Sequence, residues 1–207
     1  GFVFFDYMSI PQADAEGQKR AISSLVSYIS SSAYFMCLAG PWKYEDGSSR
    51  DDFAWSGRGW CRMEQTANML SPNSKPIVVA TSPTRIFTYP PGGTSGRDWL
   101  RSARVGHGAF TVEADKLAIG PYLRQLIAAR KALALSEGDL DLYRTLHAAT
   151  SWLLDGCEVG TAEETLAEEE IFDGWMAAMR FDTAKDKTLG SGLTPLHFAA
   201  MTGRVDL

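Results

Sequence analysis

The sequence predicts an α/β fold in which a parallel sheet is flanked by helices and followed by an α-helical segment. Three observations carry this. Phe2-Val3-Phe4-Phe5 is a wholly apolar run ending at Asp6, and Tyr34–Ala39 is a second, closed by Gly40-Pro41. Both read as strands buried on two faces. Between them Ala21, Ile22, Leu25, Val26 and Ile29 recur at helical spacing against a Ser/Lys/Arg face. Strand, amphipathic helix and strand in succession make a βαβ unit, whose strands run parallel across a right-handed crossover.

The later elements follow in order. Residues 42–59 read as a loop, with Trp42, Tyr44, Phe53 and Trp55 among Asp, Gly, Ser and Arg. A helix is expected from Trp60 to Leu70, stopped by Ser71-Pro72-Asn73, and Pro76–Ala80 reads as a third strand. Thr81–Gly108 is rich in Gly and Pro (Pro90-Pro91-Gly92-Gly93), a long connection, and Ala109–Val112 reads as a fourth strand. Beyond it Leu123, Leu126, Ile127 and Leu133 mark one helix, and Leu142, Leu146, Ala149 and Leu153 a second. A third opens on Thr161-x-x-Glu164, a capping box, and carries Ile171, Phe172, Trp175 and Met179 inward. Glu168-Glu169-Glu170 reads as its solvated side.

Composition excludes several classes. The 207 residues are 45% hydrophobic and carry a net charge of −5, with the richness of a globular chain. A pI near 5.2 leaves no basic excess for nucleic acid or an anionic membrane. No apolar run approaches the ~18 residues of a membrane span, and no basic, then apolar leader precedes the first elements. Cys37, Cys61 and Cys157 are odd in number and lack CxxC spacing, which disfavours a disulfide framework or zinc and suits a reducing, cytoplasmic setting. His107, His147 and His197 are too scattered for a metal site. No GxxxxGK[ST] order supports a nucleoside triphosphate site. Cys61 lies at a helix N-terminus, a place that lowers a thiol's pKa, although packing is its plainer role. The chain begins inside an expected strand and stops inside an expected helix, the look of a piece of a longer protein.

Two segments stand out: Phe4–Gln12 and Arg58-Gly59-Trp60-Cys61-Arg62-Met63-Glu64. In an open parallel sheet ligands bind beyond the carboxyl ends of the strands, where Asp6, the Tyr7–Gln12 loop and Trp42 would gather. Glu64 falls on or beside the apolar stripe of its helix. Burial there raises a carboxylate's pKa and suits it to general-base work or to stabilising a developing cation. The plainer alternative is a boundary residue paired with Arg58 or Arg62, with the tryptophans as packing.

Together, the Asp-ended strand, amphipathic helix, second strand and Trp60-Cys61-x-x-Glu64 resemble a TIR (Toll/interleukin-1 receptor) domain of the plant and microbial type. Phe4-x-Asp6-x-x-x-Ile10-x-Gln12 with Arg58-x-Trp60-x-x-x-Glu64 is similar to the related fungal heterokaryon-incompatibility (HET) domain. The likeness covers about residues 2–80, less clearly to 125. It implies a flavodoxin-like domain over 1–125, with its first strand missing, that self-associates in signalling. In enzymatic members it also implies cleavage of NAD, as substrate and not resident cofactor, at the nicotinamide–ribose bond. Glu64 takes the catalytic position, with Asp6, Trp42 and Trp60 as candidate pocket residues. The 42–59 insertion is longer than the family's usual loop.

Gly192-x-Thr194-Pro195-Leu196-His197-x-Ala199-Ala200-x-x-Gly203 resembles the opening of an ankyrin repeat. Thr194 would N-cap the helix and Pro195 stand at its first position. Leu196 and the alanines would pack closely, and Gly203 would end the helix. His197 would bond backbone across the turn toward a neighbouring repeat. The resulting organisation is a TIR/HET-like domain (1–125), a helical connector (126–185) and the start of an ankyrin array (186–207). The reading is a signalling protein whose ankyrin array binds a protein partner while the α/β domain self-associates. The alternative is an NAD+ nucleosidase using Glu64.

Overall fold

The computed structural model describes residues 3–11, 13–48, 50–89, 104–157 and 172–202. The chain divides into two compact units, Gly1–Ser102 and Ala103–Leu207.

The first unit is mixed α/β. Its helices are α1 (Asp6–Ser9), α2 (Ala15–Ser23), α3 (Leu25–Ser31), α4 (Asp52–Gly57) and α5 (Gly59–Leu70). Its strands are β1 (Phe35–Leu38), β2 (Ile77–Ser82) and β3 (Arg85–Tyr89), in the order β1-β2-β3. β1 and β2 are parallel, with Cys37 opposite Val79. β2 and β3 are antiparallel, with a register shift between Ala80 and Ser82.

The sheet is therefore mixed, not wholly parallel. After β2 the Ser82 hydroxyl accepts the backbone N–H of Thr84 (3.3 Å) and of Arg85 (3.0 Å). That local turn sends the chain straight back as a hairpin where a crossover would have kept it parallel.

Two expected strands do not form. Val3, Phe4 and Phe5 are exposed and lie outside the sheet. The reason is local: Phe5 N–H donates to Ser9 Oγ (2.9 Å) and Ser9 N–H to the Phe5 carbonyl (2.7 Å), so this backbone closes on a helical turn instead of a ladder. The parallel crossover is consequently β1 to β2 through α4 and α5, and not residues 2–39. Ala109–Val112 likewise forms no strand, but bends toward the next helix. The connection 42–59 also contains α4, which Asp51 caps by accepting the Ala54 N–H at 2.9 Å.

Alternation along the strands gives the unit a thin core. Cys37, Ala39, Ile77 and Val79 are buried, with Phe35, Trp55, Met69 and Phe87 packed on them. The Asn68 side chain donates to the Lys75 carbonyl (2.8 Å) and accepts its N–H (3.1 Å), pinning the link from α5 to β2. Lys75 Nζ donates to the carbonyls of Ile29 (3.2 Å) and Ser30 (2.8 Å), which places a cation at the C-terminal end of α3.

The second unit is helical: α6 (Asp115–Glu137), α7 (Leu140–Leu154), α8 (Phe172–Ala178) and α9 (Pro195–Thr202), preceded by a 3₁₀ turn at Val105–His107. α6 starts eight residues before Leu123 and runs through Pro121. Proline removes one helical hydrogen bond, but burial of Ile119, Leu123 and Ile127 carries the helix through. Gly138 ends α6 at φ +74°, a left-handed conformation open to glycine, and Asp139 then caps α7 by accepting the Leu142 N–H at 3.0 Å. Two residues thus reverse the chain. Trp175, Met176, Met179, Phe181, Phe198 and Ala199 form one core with Ala148 of α7. Arg144 of α7 is buried and donates to the carbonyls of Met179 (2.9 Å) and Arg180, with its guanidinium 3.9 Å from the Phe181 ring centre.

Candidate functional site

In the first unit α5 carries the densest titratable group. Glu64 sits mid-helix and is half-buried, flanked by buried Met63 and Ala67. Burial, then the nearby negative charge of Asp6, push its carboxyl up to about 8, while Arg58 opposes both. The Asp6 residue reaches the surface at the start of α1, yet burial of its carboxyl still raises its pKa, again opposed by Arg58. Cys61, one turn before Glu64, is pushed up to about 12 by burial and then by Glu64. Cys37 on β1 is likewise pushed up to about 12 by burial and the charges around it. Asp6, Arg58, Cys61, Glu64 and Cys37 thus share one electrostatic neighbourhood.

Asp6 and Glu64, both expected at this edge, are brought within range of each other. The ion pair offered as the plainer role of Glu64 does not form. Among the described residues no hydrogen bond or ion pair reaches its carboxylate, and Arg62 donates instead to the Ser56 carbonyl at 2.8 Å. Arg58, at the N-cap of α5, acts on both carboxyls through space. Trp42 lies over Gly40, so close that a Cβ there would collide with its ring, and is 54% exposed. Its side chain makes no hydrogen bond or ring contact with either carboxylate among the described residues. Trp60 is half-buried on α5. The lowered pKa considered for Cys61 is reversed, because desolvation of the thiolate outweighs the helix terminus. The three cysteines form no disulfide.

Chemically, the arrangement holds two carboxyls and one cation, with Glu64 largely protonated at neutral pH. A cation arriving beside it would draw that proton off.

The second unit places the other motif. Pro195 is the first residue of α9, as expected, and is buried. His197 Nδ1 accepts the Thr194 N–H (3.1 Å) and lies 2.7 Å from the Thr194 hydroxyl, which therefore donates to it as well. The imidazole closes on its own turn and does not reach outward, and the hydroxyl is spent on it and not on the helix backbone. Phe198 and Ala199 are buried, whereas Leu196 is 72% and Met201 48% exposed. The expected close packing is met by Ala199 and not by Leu196 or Ala200.

Sequence reasoning missed the Arg104–His107–Asp155 group, because Asp155 lies far along the chain from the other two. Asp155 accepts from Arg104 and lies 2.8 Å from His107 Nε2. Hydrogen bonds from His107 and Arg104 hold its carboxyl below the usual range. Gln12, Pro90–Gly96, Thr161–Glu164, Glu168–Ile171 and Gly203, and the expectations for them, lie outside the described residues.

Among the described residues no group of His, Cys, Asp and Glu could hold a metal, and no helix is long and apolar enough to cross a membrane. No family model, curated protein or solved structure matches the chain. The described residues form a small mixed α/β unit, with two carboxyls raised in pKa by desolvation, joined in sequence to a helical unit.

Proposed function

We propose that the chain is a protein-interaction module of a cytoplasmic signalling protein. In this reading the TIR/HET-like domain self-associates and the ankyrin array that starts at 186–207 binds a protein partner. The observation that supports it is the two-sided character of α9. Phe198 and Ala199 anchor the helix in a core, while Leu196 and Met201 stay exposed. In this reading these two apolar side chains, left exposed on a helix anchored in the core, take up contact with the partner. Two experiments test the reading. Sedimentation at rising concentration gives an increasing mass. The immobilised chain captures a protein that a Leu196→Asp/Met201→Asp variant of unchanged circular dichroism does not. A constant monomer mass together with equal capture by the variant overturns it.

The carboxyl pair favours a second reading, an NAD+ nucleosidase. Ionised Glu64 would hold the ribose and stabilise oxocarbenium-like charge as nicotinamide leaves. Because the neutral acid cannot do this, NAD loss should rise with pH through about 8 and vanish in Glu64→Gln. Unchanged NAD consumption by that variant removes Glu64 from the mechanism.

A further inference from the structure

We draw no further inference here: the strongest candidate, the open apolar face of the three-stranded sheet where Met36, Leu38 and Ile86 are exposed, has nothing in the structure to show what covers it.

Discussion

The two units bury different things. The helical unit encloses large side chains (Trp175, Phe198, Leu146, Leu153 and Met179) and satisfies a buried cation, Arg144, with backbone carbonyls. The α/β unit encloses aliphatic and sulfur side chains, such as Cys37, Met63, Leu70, Ile77 and Val79, and sets against them carboxyls whose burial favours the neutral form. Apolar volume with satisfied polar groups makes a scaffold. Carboxyls held above their ordinary pKa by desolvation are there at the expense of stability. The helical core is therefore held by apolar packing, and the α/β core by packing set against desolvated carboxyls.

The largest expected effect breaks the scaffold side. Phe198→Ala removes a fully buried ring from the shared core of α7, α8 and α9, and such truncations cost about 3–5 kcal/mol. Calorimetry should show the helical unit's transition falling while that of the α/β unit stays in place. Equal displacement of both would show that they unfold as one. Next comes Arg144→Ala. It strands the carbonyls of buried Met179 and of Arg180 and removes the guanidinium from the Phe181 face, for about 2–3 kcal/mol by denaturant titration.

The site side is tested by pH. Glu64 has a folded-state pKa of about 8 against an ordinary 4.5. The stability it contributes is present below pH 4.5 and lost as pH rises through 8, because unfolding releases the carboxylate to water. Glu64→Gln should match the parent at pH 4.5 and exceed it at pH 8 by roughly 2–3 kcal/mol, discounted from about 1.4 per pKa unit for partial solvent access. Urea titrations followed by tryptophan fluorescence at the two pH values check the sign. A variant less stable at pH 8 would mean that Glu64 is ionised and paired.

The same division explains what was legible in the sequence. α5 was expected at 60–70 and stands at Gly59–Leu70, because apolar periodicity and a Ser-Pro stop agree over three turns. The TPLH-like turn was legible as a helix start, since Pro195 fits only there. β3 was missed: its Ile86-Phe87-Thr88-Tyr89 is a good strand sequence, but the Gly and Pro beyond it made the whole window read as loop. Val3–Phe5 failed in the opposite sense, since one serine four residues on closes its backbone locally. For the site, helical spacing predicted that Glu64 would be desolvated. It could not decide between Arg58, Arg62 and no partner, because for Arg62 that turns on the Ser56 carbonyl of the preceding α4.

The smallest effect sharpens the contrast from within the scaffold. Asp155 joins the 3₁₀ turn to the end of α7 through Arg104 and His107, and both carboxylate and imidazole are about half exposed. Exposed pairs contribute roughly 0.2–1 kcal/mol, so Asp155→Asn should cost less than about 1 kcal/mol. The lowered pKa of Asp155 dictates when. Its contribution is present above the ordinary carboxylate range and disappears as acid protonates the folded form, the reverse of Glu64. Parent and Asp155→Asn should therefore differ slightly at neutral pH and converge in acid, while parent and Glu64→Gln converge in acid from the other side. A cost at neutral pH as large as that of Arg144→Ala would mean that water is excluded from this contact. The helical unit would then hold a second buried charge, and its distinction from the α/β unit would fail.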